Sequence, residues 1–169
     1  MRYTENEIIA LIIRFEEQKL PKSEWTHEAH LVVDIWYSHR LPENEALETV
    51  RRLIIKHNET VGTPNTEYEG YHETITRFWL LMARRFLSKY SFSTFTEAIN
   101  AFINWDFSKS NFPFHYYSEE LLFSKRRTYK HKIKNPRIAS FGLDRKSKGY
   151  FDPFFGDENI TYIRILKFF

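Results

Sequence analysis

Two short phrases in the sequence concentrate residue types that hold metals or move protons. The first, EWTHEAHL (24–31), places His27 and His30 three positions apart, beside Trp25. The second, GYHET (70–74), places His72 directly before Glu73. Imidazole and carboxylate groups can coordinate a transition metal, and imidazole exchanges protons near neutral pH. These residues are therefore the first candidates for a functional site.

A helix over residues 27–40 would gather several polar groups on one edge. At about 100° per residue, His27, His30, Asp34 and Ser38 fall on a narrow stripe, and apolar side chains cover most of the remaining circumference. We expect this helix to be central and largely buried. The stripe has two interpretations: a solvent edge with an ordinary i,i+4 pair, which spacing alone favours, or one wall of a site.

The second phrase favours a site. In a helix predicted from Tyr71 to about Leu87, His72 is in line with the apolar inward face, at the N-terminal end. Burial and the helix N-terminus both disfavour the imidazolium, so His72 should be neutral and able to bind a metal or donate a hydrogen bond. The ordinary alternatives are a satisfied core histidine and, for Glu73, a surface ion pair with Arg77.

If these two helices start at the same end of an up-down bundle, their histidines converge. His27, His30 and His72, with Glu24 in reach, would suit a divalent zinc, iron or manganese ion. Glu73 or Glu24 would then be the general base. Without a metal, His72 would be the acid or base, and Tyr71 and Thr74 would position the substrate.

The hydrophobic pattern predicts an all-α, single-domain bundle of five or six helices in residues 1–124, followed by a basic aromatic tail, residues 125–169. Predicted helices begin near Thr4, Thr26, Pro42, Tyr71 and Phe95, and a short sixth follows Ser118. His39 and His57 fall near helix C-termini, where the macrodipole accounts for them, and we expect His57 to be exposed. The connector FPFHYYS (112–118) either packs under a loop or covers a pocket with Tyr116 and Tyr117.

Composition limits the possible chemistry. The chain has no cysteine, which excludes disulfides and thiolate metal sites. No stretch approaches eighteen apolar residues, and no signal-peptide pattern opens the chain, so we expect no membrane partner and a cytoplasmic location. Residues 1–124 carry 13 Lys and Arg against 18 Asp and Glu, whereas residues 125–169 carry 12 against 4. This asymmetry is typical of a chain whose basic part has a partner or is a solvated arm.

The phrases together resemble a family of small, uncharacterised bacterial helical proteins. The shared pattern is W-T-H-x-x-H-L, then N-T…G-Y-H-E-T-x-T, then Tyr-Tyr-Ser-x-x-Leu-Leu, and it covers roughly residues 20–124. The resemblance implies a shared site without specifying a reaction. It singles out these positions of the present chain: Trp25, Thr26, His27, His30, Tyr71, His72, Glu73, Thr74 and Thr76. The basic tail is outside it.

These observations lead to three hypotheses. The first is an enzyme or binding protein that acts on a small molecule in a histidine-lined pocket, with or without a divalent metal; Trp25 and Thr76 would contact the substrate. The second is a non-catalytic module whose basic tail contacts nucleic acid or a protein partner. The third is a structural interaction protein with ordinary polar faces. The oligomeric state is left open by all three.

Overall fold

The computed structural model describes residues 2–66 and 69–117, and these residues form an all-α bundle, which confirms the predicted fold class. The α-helices are α1 (Glu5–Glu16), α2 (His27–Arg40), α3 (Glu43–Thr60), α4 (Glu73–Lys89) and α5 (Phe95–Ile103). Short 3-10 helices span Lys22–Glu24, Asp106–Ser108 and Phe112–His115. No strand occurs in the described ranges.

The chain divides into two units, Met1–Pro113 and Phe114–Phe169. All five α-helices belong to the first unit, and only residues 114–117 of the second are described. The predicted sixth helix and the predicted tail, residues 125–169, lie outside the described residues.

Helix starts follow the predicted caps. Thr4 and Glu7 form a capping box at α1, the Thr26 hydroxyl accepts a hydrogen bond from the Ala29 amide at α2, and Thr94 caps α5. Gly62 follows the C-cap of α3 with a φ of 70°, as expected of a C′ glycine. The local sequence therefore specifies where most helices begin.

The start of α4 differs from the prediction. His72 is its N-cap rather than a helical residue, with an extended φ of −130°. Its Nδ1 accepts a hydrogen bond from the Ile75 amide at 3.4 Å. An imidazole nitrogen can satisfy a free amide at a helix start as a serine hydroxyl does, so the helix begins two residues later than its hydrophobic pattern indicates.

The second helix, α2, is the centre of the bundle, as predicted. It packs against each of the other four α-helices. Leu31, Val32, Val33 and Ile35 are at most 1% exposed. None of the described helices is long and apolar enough to cross a membrane.

Candidate functional site

Two members of the polar stripe of α2, His27 and Ser38, contact the neighbouring helix α4. The Ser38 hydroxyl donates to the Leu80 carbonyl oxygen at 3.0 Å, and the His27 ring meets the Trp79 ring edge-on at 5.2 Å. Asp34, one turn before Ser38, is 3% exposed, and Ser38 is 4% exposed. The solvent-edge interpretation is therefore wrong for Asp34 and Ser38, because α4 covers that side of the helix.

Asp34 is a buried carboxyl group without a protein partner. It makes no hydrogen bond or ion pair with any residue that the structure describes. Burial raises the pKa of Asp34 well above its usual value. An unpaired carboxylate inside a protein is costly, so burial favours the protonated form, which can donate a hydrogen bond.

Trp25 joins three elements beside this stripe. It directly follows the Lys22–Glu24 turn, which brings its indole against the bundle. The ring stacks on Phe15 of α1 at 4.5 Å, with planes 14° apart. The His30 ring of α2 lies 3.8 Å from the same indole. Trp25 thus forms a wall of the site, with a ring packed on each side.

His57 of α3 meets Trp25 from a third direction. Its ring lies 5.1 Å from Trp25 and 5.7 Å from Phe15. The residue is 0% exposed, and both ring nitrogens lack a hydrogen-bond partner among the described residues. The prediction of an exposed His57 is wrong. The apolar stripe of α3 includes Val50, Leu53 and Ile54, and His57 continues it at the same helical spacing. This spacing is the signal in the sequence that indicates a buried His57.

The His30 and His57 rings are neutral neighbours. No residue that the structure describes hydrogen-bonds to the His30 ring, which contacts Trp25. Burial, with smaller contributions from the nearby His27 and His57, lowers the pKa of His30 to about 3. Burial also lowers the pKa of His57. Each neutral imidazole has one nitrogen that donates and one that accepts.

His27 is fixed by a backbone contact. Its Nε2 lies 2.7 Å from the carbonyl oxygen of Ser108. A carbonyl oxygen only accepts, so Nε2 carries the hydrogen and donates it. In the neutral ring this leaves Nδ1 as the acceptor.

We call His30, Asp34 and His57 the buried polar cluster; Asp34 and His57 are buried, and His30 is half-buried. Asp34 follows His30 by one helical turn, and at about 100° per residue its direction from α2 falls between those of His27 and His30. Trp25 and His27 border the cluster. It offers one carboxylic acid and two neutral imidazoles, all without protein hydrogen bonds in the described part of the chain.

The second phrase, GYHET, builds a loop junction. Asn65 holds the loop to α3, because its Oδ1 accepts from the Asn58 amide group at 2.9 Å and from the Tyr71 backbone amide at 3.2 Å. Gly70 has a φ of 89°, and a Cβ there would collide with the Pro64 carbonyl oxygen. Much of the phrase therefore has a structural role.

Glu73 belongs to the same junction. The Arg51 guanidinium donates to both of its carboxylate oxygens, at 2.8 and 2.6 Å, and the Tyr71 hydroxyl donates at 2.6 Å. The expected Arg77 contact is present at 3.5 Å. Burial works to raise the pKa of Glu73, but the hydrogen bonds from Arg51 and Tyr71 outweigh it, and the pKa is lowered. Glu73 is a paired anion and therefore a weak base at neutral pH.

The four predicted metal ligands have separate surroundings. The Glu24 carboxylate is exposed and accepts two hydrogen bonds from Arg14, each at 2.8 Å. His27 donates to Ser108, and His72 caps α4. In residues 2–66 and 69–117, no group of three or more His, Asp or Glu side chains is arranged to hold a metal ion. A zinc, iron or manganese site stays a prediction.

The predicted substrate contacts are scattered. Thr76 is 8% exposed in α4, and Thr74 is half-buried in its first turn. Tyr116 and Tyr117 belong to the second unit. Of the predicted substrate-binding residues, Trp25 borders the buried polar cluster.

Comparisons with family models, with curated proteins and with solved structures return no match for this chain. The geometry of the first unit is therefore the basis on which a function can be inferred.

Proposed function

We propose that the chain binds a small polar molecule at the buried polar cluster. The observation that carries this proposal is His57, a fully buried imidazole with two unpartnered ring nitrogens. Buried polar groups in proteins nearly always have hydrogen-bond partners, and each one left without costs about 1–3 kcal/mol. A bound molecule that reaches His57, His30 and Asp34 would remove that cost.

The cluster suits hydrogen bonding rather than proton transfer. Burial favours the protonated form of Asp34, so its carboxyl group can donate a hydrogen bond to a bound molecule. His30 has a pKa of about 3, which suits a neutral hydrogen-bonding group better than a proton acceptor.

Ordered water is the competing occupant of such a cluster. Water would supply the same hydrogen bonds in a polar site that is large enough to hold it. It would, however, give no selectivity among small molecules, and this difference can be measured.

The test is a ligand-observed NMR screen of small polar fragments against the full chain. Fragments that bind the wild type should lose binding in His57→Leu, which removes both ring nitrogens at similar volume. His39→Leu is the matched control, because His39 is an exposed histidine in the last turn of α2. Fragments that bind both variants equally, or a screen without hits, would refute the proposal.

The nucleic-acid alternative stays a prediction. It rests on the basic composition of residues 125–169, which are outside the described residues. The first unit adds no observation in its favour.

A further inference from the structure

The geometry points to uncharged molecules as the ligand class of the buried polar cluster, specifically compact molecules that both donate and accept hydrogen bonds, such as primary amides. This inference rests on the proposed function and specifies what that site selects. It follows from which charges surround the cluster and from which hydrogen bonds its members need.

No described cation is paired with the cluster. On α1, Arg14 binds Glu24, and on α3, Arg51 binds Glu73. Arg2, at the N-terminus, pairs with Glu28 of α2. Of the other cations on α2 and α3, Arg40 lies over the Trp36 ring, and Arg52 and Lys56 are exposed. On α4, Arg77 pairs with Glu73, and Arg84 donates to the Leu41 carbonyl oxygen at 2.9 Å. None of these cations is paired with His30, Asp34 or His57, so an anionic ligand would find no partner of opposite charge among them.

No described anion is paired with the cluster either. Glu24 and Glu73 are held by arginines, and Glu16 accepts the Tyr37 hydroxyl at 2.6 Å. Asp34 is the one carboxyl in the cluster, and an ionised form would be an unpaired buried charge. The charge of a cationic ligand would be balanced in the cluster only if Asp34 lost its proton. Either charged ligand carries a desolvation penalty that a neutral ligand avoids.

The hydrogen-bonding needs of the cluster are mixed. A protonated carboxyl group has one donor and free acceptor capacity, and each neutral imidazole has one of each. A pure acceptor or a pure donor would leave part of Asp34, His30 or His57 unsatisfied. A primary amide, with two donors and a carbonyl oxygen, can meet both needs.

Acetamide, acetate and acetamidinium test this inference directly. The three molecules are planar, nearly equal in size, and carry charges of zero, minus one and plus one. Each is titrated into the full chain at neutral pH, and the ring nitrogens of 15N-labelled histidine are followed by NMR. Concentrations stay within the range in which the circular dichroism spectrum is unchanged. We expect acetamide to shift the His57 and His30 ring nitrogens saturably, about tenfold more tightly than either ion, whereas exposed His39 should not respond.

A matched pair of variants isolates Asp34. Asp34→Asn keeps a neutral group with a donor and an acceptor, so acetamide binding should persist. Asp34→Leu removes the donor and the acceptor and should weaken acetamide binding. Abolition of acetamide binding by Asp34→Asn would overturn the neutral assignment.

The outcomes separate the inference from the proposed function. If acetate or acetamidinium binds more tightly than acetamide at these rings, the ligand class is wrong, but the cluster is still a binding site. If none of the three molecules shifts His57 or His30, the proposed function fails together with the inference.

Discussion

His57 and His39 each lie in the last turn of a helix, yet one ring is buried and the other is exposed. The macrodipole explains a cation at such a position, and exposed His39 also stacks on Phe95 at 4.3 Å. It does not explain His57, which is held neutral by burial. At the scale of single residues, surroundings decide what a histidine can do.

Replacing His57 with leucine should leave the ligand-free protein as stable as the wild type, or more stable by up to about 2 kcal/mol. The change removes two unsatisfied buried nitrogens and keeps most of the volume. Chemical denaturation at neutral pH measures the difference, and His39→Leu should change it little. A loss well above 1 kcal/mol in His57→Leu would mean that the imidazole makes hydrogen bonds that stabilise the fold.

Replacing Asp34 with asparagine should stabilise the protein increasingly as pH rises. The raised pKa of Asp34 contributes stability that is fully present below its unfolded value near 3.8 and is lost as pH rises. Asparagine does not titrate, so its advantage should grow from pH 4 to pH 8 by about 1–3 kcal/mol. Asp106→Asn, at an 89% exposed side chain, is the control and should show no such trend. A constant difference for Asp34→Asn would contradict a neutral Asp34.

At the scale of elements, the loop before α4 depends on a glycine. Gly70→Ala should destabilise the protein more than Gly62→Ala. Both have positive φ, which costs an alanine about 1 kcal/mol, but only at Gly70 would the new Cβ collide with backbone, at Pro64. At Gly62 nothing lies within 4 Å of that Cβ. Thermal unfolding of the two variants gives the comparison, and equal losses would show that the Gly70 loop moves aside.

Element boundaries were largely predictable, because caps act locally. Thr4, Thr26 and Thr94 each satisfy a free amide within their own first turn. Hydrophobic spacing predicts that α4 begins at Tyr71, but the His72 imidazole caps the helix, which begins at Glu73. Hydrophobic spacing carries no information about such a cap. The sequence of α2 predicts the polar stripe, but it does not predict which helix packs against the stripe, because that depends on contacts between helices.

At the scale of the whole molecule, fold class was predictable and the assembled site was not. The apolar periodicity of α2 and α3 and their caps is enough to specify helices that bury one face. In the cluster, His57 of α3 and His30 of α2 both contact Trp25. Such contacts depend on the order of the helices and on the angles at which they cross. The sequence pattern therefore does not predict the burial of His57 or the pairing of Glu24 with Arg14.

Between about pH 6.5 and pH 3, protonation of His30 and His57 should destabilise the bundle, and Asp34, whose pKa is raised, acts in the opposite direction. The folded-state pKa values of His30 and His57 are lowered, so the unfolded chain binds protons that the folded chain does not. Each group contributes a slope of at most about 1.4 kcal/mol per pH unit over its interval. The free energy of unfolding, measured by denaturation and plotted against pH, should therefore run parallel for the wild type and His57→Leu above pH 6.5 and diverge below it. Parallel curves throughout would show that His57 titrates normally.

The most direct test of the central claim is a crystal structure of the full chain at neutral pH, read at the buried polar cluster. We predict non-protein density at hydrogen-bonding distance, about 2.7–3.2 Å, from a His57 ring nitrogen and from His30 or Asp34. If His57 and Asp34 instead hydrogen-bond to protein groups and leave no room between them for a bound molecule, the cluster is part of the core and the proposed binding function is wrong.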